Sequence, residues 1–297
     1  MKSNEARRRL LGAGSAAGAL ALLEAATARL AVAREGAATE MPVIFIGHGS
    51  PMNALRDNDF TRALAKLGKS LPRPTAVLAV SAHWLTPGST LVGAQTRPKT
   101  IHDFGGFPRP LQEMQYPAPG APEVAGLAAK AVEVAQVGVT EDWGLDHGTW
   151  TVLRHIYPHA DVPVLQLSID YAKPAAHHYE IGRQLRALRS KGVLIMGSGN
   201  VVHNLGETDR DAPDGAPSRA WARDFDLGVK TALDARNDFA LVSYARLGPA
   251  ARMAVPTPDH YYPMLYALGA ADRKEAARTV FEGFQSGTLS MRCFQFG

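Results

Sequence analysis

The sequence predicts an α/β fold: a single domain with a mostly parallel central sheet flanked by helices. Three observations carry this. Short apolar runs alternate with stretches of helical spacing from residue 41 to the C-terminus, and strands that alternate with helices pair in parallel with both sheet faces covered. Hydrophobic residues make up 46% of the 297-residue chain, enough for one substantial core. No internal repeat, low-complexity tract or interdomain linker breaks the pattern.

In chain order, Val43-Ile44-Phe45-Ile46 is a buried strand, β-branched and aromatic, ending at Gly47. Asp59–Leu71 has helical spacing, with Asp59 as its N-cap. Ala76–Val80 is a second strand, and Glu123–Gln136 an Ala-rich helix. Gly148–Tyr157 is a helix stopped by Pro158, and Val162–Ile169 a third strand. Ala175–Lys191 is a helix closed by Gly192. Val193–Met196 is a fourth strand running into Gly197-Ser198-Gly199. A helix follows over Ser218–Arg236, and Val280–Phe296 reads as a hairpin. The Pro/Gly-rich stretches 86–120 and 205–217 are long loops, a length that within a compact domain marks lids or binding loops.

Composition excludes several function classes. One cysteine, Cys293, allows no disulfide framework and no cysteine-rich zinc module, and its apolar strand makes it a packing residue. The +4 net charge sits mostly in residues 1–33, where Lys2, Arg7, Arg8, Arg9 and Arg29 face only Glu5 and Glu24. The remainder is nearly neutral, which removes the support for nucleic-acid binding. The same segment has the order of an export signal: a basic start, the apolar run Leu10–Leu23, then Ala31-Val32-Ala33 as a cleavage site. Three arginines before a Gly/Ala-rich run point to the twin-arginine export machinery and a periplasmic location, the domain then being residues 34–297. A run of 14 residues is short of the roughly 20 a membrane span needs, so no stable span is expected after cleavage.

The histidines carry the chemistry. His48 follows the first strand, His83 the second and His203 the fourth, while His260 sits where a loop enters a helix. In an open parallel sheet, ligands bind outside the carboxyl ends of the strands, so the three histidines at strand ends would converge in one crevice. Imidazole suits zinc, iron or copper; hydrogen-bonded structural histidines are the other reading of the same pattern. His147, near a helix N-terminus, is a further candidate, where the helix dipole would favour its neutral form. His102 lies in a loop with aromatics that could cover an aromatic ligand, and Tyr262 could line the site. His155, His159, His177 and His178 read as solvent-facing. Gly197-Ser198-Gly199 lacks the third glycine of a dinucleotide turn, and there is no Walker A sequence and no Gly-x-Ser-x-Gly elbow.

Six blocks, taken in order, closely resemble the 4,5-DOPA dioxygenase extradiol family: GHGSPMNAL (47–55), SAHW (81–84), IHDFGGFP (101–108), DWGLDHGTW (142–150), GSGNVVHNL (197–205) and TPDHYYP (257–263). That family belongs to the class III extradiol dioxygenases typified by protocatechuate 4,5-dioxygenase. The resemblance spans essentially all of residues 41–297, and the N-terminal segment departs from it. It implies an enzyme that inserts O2 into a catechol such as L-DOPA to give a ring-opened semialdehyde. It implies one divalent metal ion at His48, His83 and His260, with His203 on or close to the metal. It also implies His203 as the base for a catechol proton and His147 as a proton donor or substrate contact; His102 and Tyr262, from their placement, are the substrate-binding candidates. The wider class uses a carboxylate as third ligand; here that place falls to His260, leaving one more positive charge at the centre. Zinc is then the expected occupant of purified protein and Fe(II) the metal for ring cleavage. The rival readings are a zinc hydrolase on the same histidines and a non-enzymatic binding protein of the Memo type.

Overall fold

The computed structural model describes residues 40–297 apart from Arg210 and Asp214. The expected export segment and the boundary at residue 34 lie outside the described residues. Among the described residues, no helix is long and apolar enough to cross a membrane.

The strands are β1 (Val43–Gly47), β2 (Ala76–Leu85), β3 (Thr90–Gly93), β4 (Val137–Thr140), β5 (Val164–Ile169), β6 (Val193–Gly199), β7 (Arg278–Phe281), β8 (Phe284–Gln285), β9 (Leu289–Ser290) and β10 (Cys293–Phe296). Eight of them form one sheet in the order β4-β3-β5-β2-β6-β1-β10-β7, with β8 and β9 paired separately. The four inner strands, β5, β2, β6 and β1, are parallel. The C-terminal pair β10 and β7 adds antiparallel beyond β1, and one antiparallel pairing, Val92 with Leu167, attaches the parallel β3–β4 pair to β5.

Side chains alternate across this sheet, as the two-residue period of a strand dictates. Val43, Phe45, Leu78, Val80 and Ile195 face one side, and Ile44, Ile46, Val77, Leu194 and Met196 the other. The second face is covered by helices α1 (Asp59–Ser70) and, past the helical turn α2 (Arg109–Gln112) and α3 (Pro122–Ala131), α4 (His147–Ile156). The first is covered by α3, α5 (Ala175–Leu185), α6 (Ala220–Asp234) and, past the short helices α7 (Asp238–Val242) and α8 (Ala251–Ala254), α9 (Tyr262–Ala270). Every residue of α9 is buried, so this helix has no solvent face.

The structure departs from the sequence expectations at identifiable places. Asn58, rather than Asp59, caps α1, because its side chain and that of Thr61 bond each other's backbone N–H in a capping box. Strand β2 continues to Leu85, pairing with Ile169 past an irregularity, so His83 lies inside the strand's last turn of pleat rather than after it. Strand β5 starts at Val164 because Pro163 has no N–H for the ladder. Gly197-Ser198-Gly199 is the end of β6, paired with β1, and forms no phosphate turn. Helix α3 stops at Ala131, and the loop 86–120 contains β3 and α2. Both β3 and β4 are four-residue strands, too short to show a period in sequence. Cys293 is buried in β10 as expected of a packing residue.

Helices α5 and α9 cross at glycine. A Cβ on Gly269 would lie 2.2 Å from the Tyr179 carbonyl oxygen, and one on Gly182 would lie 2.4 Å from that of Tyr266. Backbone occupies both spaces, so no rotamer change relieves the clash. Gly269→Ala should therefore destabilise by about 1–3 kcal/mol and lower Tm by several degrees in thermal unfolding, on the scale of roughly 2–4 °C per kcal/mol for this size. An unchanged Tm would show that the helices separate freely.

Candidate metal centre

The carboxyl ends of β1, β2 and β6 lie level: Gly47 pairs with Gly199 and Ser81 with Ser198. His48 and His203 follow two of these ends and His83 stands in the third. His260 is brought to them by a backbone bond, since Asn200 N–H donates to the His260 carbonyl at 2.9 Å. That approach needs glycine in β6, because a Cβ on Gly199 would lie 2.2 Å from the same carbonyl oxygen. His147 enters from the opposite side as the first residue of α4. The following Gly148 leaves room for its neighbours, where a Cβ would lie 2.5 Å from the Ser81 hydroxyl and 2.9 Å from the His83 ring.

Five imidazoles therefore share one crevice. The ring centroids of His48, His83 and His260 form a near-equilateral triangle with sides of 5.0, 5.0 and 5.4 Å. His147 lies 3.9 Å from His83 and 5.5 Å from His48. His203 stacks face to face on His260, with centroids 3.4 Å apart and planes within 2°. Ligand atoms of His48, His83 and His147 lie within 4.8 Å of one another, as do those of His203, Asp259 and His260.

Hydrogen bonds behind the rings decide which nitrogens face inward. The Ser198 hydroxyl donates to the Gly148 carbonyl at 2.5 Å, so it accepts from His48 Nδ1–H at 3.0 Å and leaves the His48 Nε2 lone pair free. His147 Nδ1–H donates to Asp103 Oδ2 at 2.8 Å, and His260 Nδ1–H donates to Asp259. His83 Nδ1 also turns toward Asp103, at 3.5 Å. His48 Nε2 and His83 Nε2 then face each other at 3.1 Å. Two such nitrogens need a proton or a cation between them. Burial, reinforced by the neighbouring histidines, pushes both rings well below the usual imidazole pKa. A charged, doubly protonated ring is disfavoured there, and the all-imidazole donor set fits a divalent transition metal.

The remaining groups divide by what they touch. Burial and then His260 push His203 down to about 3, so it is neutral at ordinary pH. Imidazole lone pairs lie in the ring plane, so stacked rings aim side by side rather than at one point. That favours His260 as the candidate ligand, with His203 stacked beside it. Burial pushes Asp259 up, but the hydrogen bond and charge of His260 outweigh it and hold the carboxyl well below its usual range. Asp103 is held low in the same way by His147. Asp146, fully buried, caps α4 and accepts from Ser81 at 2.7 Å and Gln166 at 2.7 Å, and burial with Asp103 nearby raises its pKa.

Of the other sequence candidates, His102 donates Nε2–H to the Met114 carbonyl at 2.9 Å and packs its ring on Phe104 and Trp150. Phe104 in turn meets the His147 ring edge-on at 5.6 Å. Tyr262 turns its hydroxyl to the Lys173 carbonyl and stacks on His178. His178 corrects the solvent-facing expectation: it is buried between the Tyr266 hydroxyl and the Lys173 carbonyl. His155 is half-buried and bonded to the Asn53 carbonyl. Sequence reasoning gave no role to Asp103, Asp259 or Ser198. All three stood in quoted blocks, but only Asp259 adjoins the histidine that it orients, where a carboxylate next to a candidate ligand is a readable signal.

Comparison with known proteins agrees with this geometry. A family model described as "Catalytic LigB subunit of aromatic ring-opening dioxygenase" matches residues 41–291. The chain is 48% identical over 266 residues to the 4,5-DOPA dioxygenase extradiol of Escherichia coli (strain K12), covering 87% of this chain and 96% of that one. It is 35% identical over 262 residues to the protein of the same name from Beta vulgaris, covering 85% and 95%. A crystal structure of an uncharacterised protein from Escherichia coli K12 matches with a TM-score of 0.75 at 43% identity, over 86% of this chain and 100% of that one.

The metal-free protein should lose stability as pH falls from 6.5 to about 3. Over that window His203 is neutral when folded and protonated when unfolded. The unfolded state binds more protons, so stability falls with pH, and the contribution is whole above the unfolded pKa. Urea midpoints measured across the window should decline, and His203→Gln should make the decline shallower. A midpoint that does not move would contradict the burial of neutral imidazoles.

Proposed function

The chain belongs to the family of catalytic LigB subunits of aromatic ring-opening dioxygenases, and from that premise we propose that it cleaves the ring of a catechol such as L-DOPA with O2, in extradiol fashion. The observation that carries this is the group of imidazoles gathered at the strand ends, with the Nε2 atoms of His48 and His83 facing each other. The substrate class follows the name borne by its relatives.

One divalent ion would be held by Nε2 of His48, His83 and His260. When bound, it supplies coordination for catechol and O2 and an electron path between them, which Fe(II) can provide and zinc cannot. Zinc, which binds nitrogen sites more tightly than Fe(II), is the occupant we propose for purified protein.

The chain's own residues then handle protons and position. His203, neutral and without a protein hydrogen-bond partner for its ring among the described residues, takes the proton of a catechol hydroxyl. His147 faces it across the cluster and returns a proton to the opening ring. Phe104, at the edge of His147, offers an aromatic surface for the substrate ring, and His102 holds the loop that carries Phe104. Tyr262 and His178 fill the space behind the start of α9, two residues past His260.

For residues 1–33 we propose twin-arginine export of the folded domain to the periplasm, supported by the three consecutive arginines. Replacing Arg7, Arg8 and Arg9 with Lys should keep the full-length precursor in the cytoplasm; unaltered export would sink the idea.

Anaerobically iron-loaded protein given L-DOPA should take up O2 in step with a yellow semialdehyde. His203→Ala should lower kcat by about 10²–10⁴, the usual worth of a positioned acid or base. If no catechol consumes O2, ring cleavage fails; ester hydrolysis by the zinc form would then favour the hydrolase, and its absence a binding protein. Full activity in His203→Ala would remove that residue's role but not the enzyme class.

A further inference from the structure

Asp103 touches the histidine cluster without belonging to it and without being one of the residues that would hold the ion. It reaches His147 twice: Oδ1 accepts the His147 backbone N–H at 2.9 Å and Oδ2 accepts ring Nδ1–H at 2.8 Å. The same Oδ2 lies 3.5 Å from His83 Nδ1. The placement is dictated by backbone. Thr100 pairs with Leu145 in a parallel bridge, Ile101 N–H donates to the Leu145 carbonyl at 2.7 Å, and Leu145 N–H donates to the Lys99 carbonyl at 2.8 Å. Two residues further along each segment stand Asp103 and His147, opposite one another. Trp150, one turn into α4, locks the pairing by donating to the Ile101 carbonyl at 3.0 Å.

We infer that Asp103 is a positioning residue that fixes the tautomer of His147 for the ring-opening reaction, an inference that rests on the function proposed above. With Nδ1–H held by the carboxylate, Nε2, the nitrogen turned away from Asp103, is the one that picks up a proton from solvent and passes it on. When Nε2 gives that proton to an oxygen of the opening ring, the neutral ring that remains keeps Nδ1–H on Asp103.

A purely structural role is the competing account, since Oδ1 also satisfies the first N–H of α4. Asp103→Asn separates the two. Its Oδ1 still serves the backbone N–H, while an NH2 replaces the oxygen facing Nδ1 and cannot accept from it. In the full-length, zinc-loaded protein labelled with 15N-histidine, wild type should show an Nδ1–H signal that His147→Gln removes. Asp103→Asn should remove that signal too, with zinc content and Tm kept. In the iron-loaded enzyme it should lower kcat by roughly 10²-fold or more with KM little changed, and Asp103→Glu should restore part of the loss. Retention of the Nδ1–H signal in Asp103→Asn overturns the inference, and so does loss of the signal with kcat unaffected. If wild type cleaves no catechol, the functional reading falls instead, and the labelled-histidine signal alone decides whether Asp103 sets the tautomer.

Discussion

The centre depends on hydrogen bonds made at the backs of the imidazoles. His48, His147 and His260 each give Nδ1–H to an oxygen behind them, on Ser198, Asp103 and Asp259. A ring tied in this way can offer only Nε2 to the crevice, and the facing Nε2 atoms of His48 and His83 make that crevice a place for a cation. Burial keeps His48 and His83 neutral, so their lone pairs stay available to a metal instead of being occupied by protons. Remove the oxygens and the same five histidines would be free to rotate or change tautomer, and the site would lose its aim.

The sheet makes such an arrangement possible at low conformational cost. Parallel strands β1 and β6 end in register beside β2, which runs on to Leu85, and this sets three histidine positions on or just past rigid backbone. His260 comes from a distant part of the chain, and its backbone reaches β6 only because Gly199 has no side chain there. The wholly buried α9 begins two residues later and anchors it from the other side. The aromatic loop carrying His102, Asp103 and Phe104 is pinned by its own backbone pairing to the segment that leads into α4.

The charge balance at the centre also differs from what the ligand types alone imply. Three neutral imidazoles in place of two and a carboxylate leave an additional positive charge on a bound ion. Yet Asp259 and Asp103 are both held low and ionised, directly behind His260 and His147. Negative charge is therefore present directly behind His260 and behind His147 without occupying a coordination position. The helix dipole expected to act on His147 meets Asp103 at the same helix end.

By itself the sequence determined the fold class, the four inner strands and the histidines that meet. Long apolar strands and blocks such as SAHW, GSGNVVHNL and TPDHYYP are local patterns, and local patterns survive in one dimension. It did not show β3 and β4, whose four residues carry no period, or the burial of His178, which depends on Tyr266 from another helix. Nor could it show which ring nitrogen each histidine offers. That choice belongs to Ser198, Asp103 and Asp259. Ser198 and Asp103 are far in sequence from the histidines they orient, and even Asp259 does so only in the conformation that the loop before α9 adopts. Only the tertiary structure decides it, because a tautomer is set by the acceptor behind the ring, and folding chooses that acceptor.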